Sequence, residues 1–353
     1  MLVPVAERVY QLLHGGIFLR LPEARAVRLG QVLLRAIPVR ALQGLAVEDP
    51  RLAVTLGGVR LPNPVILSSM YYDLRLLRRA MALGFGAVTT KSITVTARPG
   101  HPEPNLVRLE TPEGPGFVNC NGFQNPGLEA FRANLEALGG ERHPRPLIVS
   151  VAGESPGEYR RLVEGLEAQA DLIEVNISSP NTRLVYELSA RPERVRALLG
   201  DVRRATKKPV IVKLSPDYPD ENRRAIVPAI LDSGIDGVNF GNTRRVAERR
   251  LSQGAGGVSG PSLFPGVLAT IRELRQTAGP RLDLIATGGI DSPAKALAVL
   301  EAGADALGYF AAFITRGPTL ARRINEAILE ALARRGLAGV RDLREVDGRR
   351  TTG

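Results

Sequence analysis

A closed (β/α)8 barrel, with a small N-terminal helical extension and an N-terminal β-hairpin, is the fold this sequence predicts. Short apolar runs alternate with helical patterns eight times between residues 65 and 335. Such alternation implies a parallel sheet with helical crossovers. Eight units within about 270 residues imply that the sheet closes on itself. Polar residues gather at the C-terminal ends of the runs, the face where such barrels carry their chemistry.

Residues 5–48 read as a helical appendage. Residues 7–13 have apolar positions at helical spacing, Gly15 and Gly16 interrupt them, and a second helical pattern runs from Pro22 to Pro38. Proline suits a first helical turn. Ala26, Leu29, Val32 and Leu33 recur at three- and four-residue steps, with arginine on the other face. A basic amphipathic pair either lies on a membrane surface or packs back on the main domain, and periodicity leaves both open. Residues 52–61 read as a hairpin turned at Gly57 and Gly58. Barrel strands are expected at 65–69, 86–91, 147–151, 172–176, 210–213, 237–240, 284–287 and 306–310. Their helices are expected at 73–83, 126–138, 156–169, 191–206, 220–233, 261–278, 292–302 and 317–335. A Pro- and Gly-rich excursion occupies 92–125. The expected organisation is an extension at 1–48, a barrel at 49–340 and a basic tail at 341–353.

Composition narrows the function. A hydrophobic content of 44% with 24% charged residues supports a large packed core. Aromatics are 5% and Trp is absent, which argues against a stacking surface for single-stranded nucleic acid. The net charge of +11 suits anionic ligands, but the arginines are scattered over helical patterns, so solvated helix faces account for it equally well. The single Cys120 excludes an intrachain disulfide, and His14, His101 and His143 show no metal-ligand spacing. No metal is expected. Neither a signal peptide nor an apolar run long enough to span a membrane is evident.

The strand ends carry the candidate chemistry. Ser68 and Ser69 end the first strand, Lys91 the second, Asn176 the fourth and Lys213 the fifth, and Asn239 and Asn242 follow in the sixth unit. Amides and lysines without an acidic pair argue against glycoside hydrolysis and against a carboxylate-held metal. The stretch from Asn176 to Asn181 sets two carboxamides and two hydroxyls in one proline-stiffened turn. Each carboxamide offers a donor and an acceptor to a ligand with amide edges. Glycine-rich turns at 254–260 and 286–290 precede helices, where free backbone N–H groups bind phosphate.

These motifs resemble the dihydroorotate dehydrogenase family of FMN flavoenzymes, over residues 5 to 335. The segment from Asn176 to Thr182, reading NISSPNT, is similar to the substrate and base loop of the quinone-using, membrane-associated class, whose base is serine. The segment from Thr89 around Lys91 is similar to the soluble class. The stretch from Asn119 to Asn125, NCNGFQN, resembles the orotate-binding loop. The resemblance implies oxidation of dihydroorotate to orotate in pyrimidine biosynthesis, with hydride passing to FMN and electrons passing on to a quinone. It implies catalytic roles for Ser179 (the base), Thr182 (a proton relay) and Lys213. Substrate contacts fall on Asn119, Gly122, Phe123, Asn176, Asn181, Asn242 and Thr243. FMN contacts fall on Ser68, Ser69, Lys91, Ser92, Asn176, Lys213, Gly260, Gly288, Gly289, Phe310 and Ala311. It also implies peripheral attachment at the cytoplasmic face of the cell membrane, and no nucleic-acid partner. Three places depart from the family pattern: Ser68-Ser69-Met70 replaces Ala-Ala-Gly, Arg183-Leu-Val-Tyr replaces Pro-Gly-Leu-Arg, and Asn121 replaces a Met-type residue. Two alternatives stand beside this reading. One is a diverged flavoenzyme acting on another cyclic amide; the other is a barrel that binds a phosphorylated metabolite without redox chemistry.

Overall fold

The computed structural model describes residues 2–137, 144–178 and 191–344. In chain order the strands are β1 (Val54–Leu56), β2 (Val59–Leu61), β3 (Val65–Tyr71), β4 (Ala87–Thr90), β5 (Leu106–Thr111), β6 (Gly114–Asn119), β7 (Leu147–Val151), β8 (Leu172–Asn176), β9 (Val210–Leu214), β10 (Gly237–Phe240), β11 (Arg244–Ala247), β12 (Ala255–Ser259), β13 (Asp283–Thr287) and β14 (Ala306–Tyr309). Strands β3, β4, β7, β8, β9, β10, β13 and β14 close in that order into a parallel barrel. All eight expected barrel strands are present. Residues of β7, β8 and β9 are buried on both faces, because helices cover the outside while the barrel interior is filled by side chains.

The helices are α1 (Leu2–Gly16), α2 (Glu23–Ala36), α3 (Val39–Gln43), α4 (Leu74–Ala82), α5 (Leu128–Ala137), α6 (Pro156–Leu166), α7 (Pro192–Ala205), α8 (Asp220–Asp232), α9 (Phe264–Ala278), α10 (Pro293–Glu301), α11 (Ala311–Arg316) and α12 (Leu320–Arg335). Local chemistry sets their starts. Asp73 accepts from the backbone N–H of Arg75 and Leu76 at α4, and Ser155 and Ser292 cap α6 and α10 in the same way. Such caps satisfy donors that a helix leaves open. On α4, Leu74, Leu76, Leu77, Ala80 and Met81 face the core. The hairpin β1–β2 covers the N-terminal end of the barrel, where Gly57 N–H donates to Asp283 Oδ2 at 2.6 Å. Val340 and Leu343 are buried in the main core, and Arg344 pairs with Asp305, so packing on the barrel continues through residue 344.

The N-terminal helices pack on the barrel. Arg108 on β5 donates to the carbonyls of Phe18 (2.6 Å), Leu19 (3.2 Å) and Leu21 (3.1 Å). Arg35 reaches Asp73 at 2.5 Å, Arg323 reaches Glu7 at 3.3 Å, and Tyr10 Oη donates to Ile314 O. The same segment leaves Val5, Val9, Leu12, Ile17, Leu19, Val32, Ile37 and Val39 exposed. No helix among the described residues is long and apolar enough to cross a membrane.

One element differs from expectation. The excursion at 92–125 and the 254–260 glycine run were expected as loop and turn. They instead supply three strands of a four-stranded antiparallel sheet, in the order β11–β12–β6–β5, with Gly257 opposite Asn119. The reason is close approach. A Cβ at Gly256 would lie 2.5 Å from Asn119 O, and one at Gly257 would lie 1.9 Å from Thr243 Oγ1. Gly256 and Gly257 serve strand packing, as isolated glycines in strands do, while Gly254 (φ 64°) and Gly260 (φ 129°) remain turn residues. We expect Gly257→Ala to destabilise the protein by roughly 1–3 kcal/mol, as overpacking against the Thr243 side chain does. The shift in urea midpoint checks this, and an unchanged midpoint would show that the sheet yields freely.

Candidate functional site

Inward-facing side chains at the C-terminal ends of the strands meet in one cavity of about 760 Å³. Strand alternation puts Glu174 and Asn176 on the same face of β8, and the parallel register places Asn176 beside Lys213. Ser68, Ser69, Lys91, Ser92, Asn119, Gly122, Phe123, Asn176, Lys213, Asn242, Thr243, Gly260, Gly288, Gly289, Phe310 and Ala311 all line this cavity. Ser179, Asn181, Thr182 and Arg183 lie outside the described residues.

The cavity does not stop at the barrel mouth. It continues past β5 and β6 to Tyr10, Leu13, His14, Phe18, Ala26, Val27, Gly30 and Leu34. The antiparallel sheet forms part of its wall, through Arg108, Phe117 and Asn119. Polar and apolar ends of one space are thus joined.

The mouth is wired by a one-way chain of hydrogen bonds. Asn242 Nδ2 donates to Ser178 Oγ (2.6 Å), which donates to Asn176 Oδ1 (2.7 Å). Asn176 Nδ2 donates to Ser92 Oγ (2.8 Å), which lies 2.9 Å from Ser150 Oγ. Ser150 Oγ donates to Glu174 Oε1 at 2.9 Å. A carboxylate only accepts, so Ser150 spends its single proton on Glu174 and Ser92 must donate to Ser150. Asn239 Nδ2 also donates to Glu174, at 2.6 Å, and Lys213 Nζ stands 3.9 Å from Oε1. Asn176 O accepts from Tyr159 Oη at 2.7 Å, so the strand end is clamped from behind as well.

Two lysines face the cavity at the barrel mouth. Lys213 Nζ is 3.5 Å from Ser69 Oγ. Lys91 Nζ is 5.9 Å from the Tyr72 ring centroid, and burial pushes its amine down to about 8. An amine held in this way is relieved by an anionic partner. Around the far wall, Gly260, Gly288 and Gly289 have φ of 129°, 122° and 72°. A Cβ at Gly289 would fall 2.5 Å from Phe264 N, beside the first turn of α9. Bare backbone next to a helix N-terminus has the geometry to accept a phosphate. Phe123 has φ of 55°, with its carbonyl held by Asn125 Nδ2 at 2.6 Å. A left-handed phenylalanine in a cavity wall is strain retained at a site. No set of three or more His, Cys, Asp or Glu among the described residues is placed to hold a metal. Cys120 is buried in a small core with Val107, Val118, Leu251, Val258 and Leu263, away from a reactive position.

Sequence reasoning missed Glu174 and Ser150, and took Ser178 only as one of the two hydroxyls of the 176–181 turn. Glu174 gave a signal, being the one charge in an otherwise apolar strand. Ser150 gave none, because a serine in a buried strand is ordinary.

Fold and cavity together define a barrel enzyme with its chemistry at the C-terminal mouth. The family model for dihydroorotate dehydrogenase matches residues 51–332. The catalytic subunit of the Pyrococcus horikoshii dihydroorotate dehydrogenase B (NAD(+)) is 37% identical over 302 residues, covering 83% of this chain and 96% of its own. The Thermobifida fusca dihydroorotate dehydrogenase (quinone) is 32% identical over 370 residues, covering 96% of this chain and 97% of its own. The Mycobacteroides abscessus dihydroorotate dehydrogenase (quinone) is 35% identical, covering 95% and 98%. The crystal structure of Eimeria tenella DHODH in complex with ferulenol superposes with a TM-score of 0.80 at 25% identity, covering 97% and 99%. This chain belongs to the dihydroorotate dehydrogenase family.

The Lys91 shift has a signed consequence. Its folded value lies near 8 and its ordinary value is 10.5, so the unfolded chain binds more protons between those limits. Stability of the ligand-free protein should therefore rise with pH across that window, the penalty being full below pH 8. Lys91→Met should flatten the slope. Melting temperature against pH checks this, and equal slopes for both proteins would contradict it.

Proposed function

We propose that this chain oxidises dihydroorotate to orotate in pyrimidine biosynthesis, using FMN at the barrel mouth and a quinone as electron acceptor. One observation carries the reading: the polar mouth and the apolar space between α1 and α2 belong to the same cavity. A quinone needs an apolar approach to a site whose substrate is polar and anionic, and this cavity has both ends.

The residues present fit FMN. Gly260, Gly288 and Gly289, with Phe310 and Ala311, would hold its phosphate side, and Ser68, Ser69, Lys91, Ser92, Asn176 and Lys213 its ring. When bound, FMN supplies a two-electron acceptor, which no protein side chain offers. The chain's own residues do the rest. Dihydroorotate presents a carboxylate and two ring amides, and Asn119, Asn176, Asn181 and Asn242, with Gly122, Phe123 and Thr243, read those edges without adding negative charge. Ser179 Oγ takes the proton from C5. A serine alone is a weak base, so its own proton passes on through Thr182. Lys213 places a fixed cation where electron density accumulates, at no cost of reorganisation. The exposed apolar residues of α1 and α2 seat the extension on the cytoplasmic face of the membrane, where quinone is found.

The central test is spectral. Purified protein should carry a yellow chromophore that bleaches anaerobically with dihydroorotate and recovers with quinone. Bleaching by another dihydropyrimidine but not by dihydroorotate would overturn the substrate. Ser179→Ala should slow the bleaching by about 10²–10⁴-fold while FMN stays bound.

Leu12 and Val32 are 69% and 55% exposed. A Leu12→Glu, Val32→Glu pair should cut co-sedimentation with anionic liposomes and leave anaerobic bleaching intact. Unchanged sedimentation would remove the membrane from the reading.

A further inference from the structure

Glu174 is the one feature of the mouth that the proposed chemistry leaves idle. It is 1% exposed, inside the barrel, and does not line the cavity. Its neighbours are all donors: Ser150 Oγ at 2.9 Å, Asn239 Nδ2 at 2.6 Å and the Lys213 ammonium at 3.9 Å. Stability does not explain it. A buried ion pair roughly breaks even against apolar packing, because desolvation offsets the attraction. Through Ser150 and Ser92 it ends the chain that reaches the mouth amides, but those amides also have anchors of their own, and a neutral amide oxygen at 174 would end that chain equally well. Ser178 N–H donates to Asn176 Oδ1 at 3.0 Å, and Thr243 N–H donates to Asn242 Oδ1 at 2.8 Å. What remains is its charge, set behind the one lysine of the mouth that is most deeply buried.

We propose that Glu174 is the counter-charge of the site: it offsets the field of Lys213 at the cavity and so sets the redox poise of the bound flavin. This rests on the FMN reading above. A bare ammonium favours the form of the cofactor that carries more negative charge, which is the reduced one. A carboxylate behind it withdraws part of that preference. Glu174 is thus a positioning residue, acting on the field and touching neither substrate nor cofactor.

The test is the midpoint potential of the FMN-loaded protein, with Glu174→Gln as the variant. The substitution is close to isosteric. Its new N–H group has an acceptor available, because Asn239 Oδ1 has no partner among the described residues and the Asn239 amide can turn over. Removing the charge should raise the reduced-to-oxidised ratio at fixed potential about tenfold, the size of one unit charge acting from about 12 Å at an effective dielectric near 20. For a two-electron couple that is a rise of about 30 mV. Binding titrations should show reduced FMN gaining the same factor over oxidised FMN. Ser150→Ala removes a hydrogen bond to this carboxylate but no charge, and should shift the ratio by less than threefold. If Glu174→Gln does not fold, Glu174→Asp, which draws the carboxylate back by one methylene, should move the potential by a smaller but measurable factor. A flavin-replete variant with an unshifted potential would overturn the counter-charge and leave the FMN reading standing. Wild-type protein that takes up no FMN would sink both.

Discussion

The interior of a closed eight-stranded barrel must be filled by its own side chains, and near its C-terminal end this one is filled with polar groups. Glu174, Asn239, Ser150 and Lys213 occupy one buried region. None of them could be left unpaired there without a penalty of one to several kcal/mol. Glu174 accepts from Ser150 and Asn239, with Lys213 3.9 Å away, and the chain of bonds spreads outward through Ser92, Asn176 and Ser178 to Asn242. The rigidity of the mouth follows from that obligation. A satisfied buried network has few alternative arrangements, so the amides at the cavity surface are held before any ligand arrives.

The surrounding architecture protects this arrangement. Helices shield the outer faces of the strands, and the β1–β2 hairpin covers the opposite end through Gly57 and Asp283. The antiparallel sheet β5–β6–β12–β11 stands over the mouth and carries Asn119 to it. Arg108, on that same sheet, ties down three carbonyls at the α1–α2 corner. One sheet thus couples the polar mouth to the apolar extension, and the cavity runs along it. Truncating Arg108 would leave those carbonyls to solvent, so the approach to the cavity depends on a residue far from the strand ends.

The barrel itself was legible because its signals are local. Apolar runs bounded by Gly, Pro and capping residues mark strands and helices one at a time, and their count and order imply closure. The mouth residues were legible for a related reason. A polar residue at the end of an apolar run, such as Lys91, Asn176 or Lys213, must point to the C-terminal face. The lid was not legible. Strands β11 and β12 are short, exposed or glycine-rich, and β12 pairs with β6 across more than a hundred residues, which no local pattern records. The glycine run at 254–260 carried a misleading signal, since glycine marks both phosphate turns and close-packed strands.

What the sequence alone determined is the parallel barrel, the face that carries the chemistry, and the residue types available there. Periodicity and strand-end polarity are properties of consecutive residues, so the chain displays them unfolded. What the tertiary structure decided is which of those groups meet. Asn119 and Gly257 become neighbours only through the lid, and the apolar faces of α1 and α2 join the cavity only because Arg108, Arg35 and Arg323 dock them. Glu174 gains its meaning only when Lys213 arrives from the next strand. Distances between groups far apart in the chain are set by packing and by the cost of burying charge, and neither is written in any single stretch of residues.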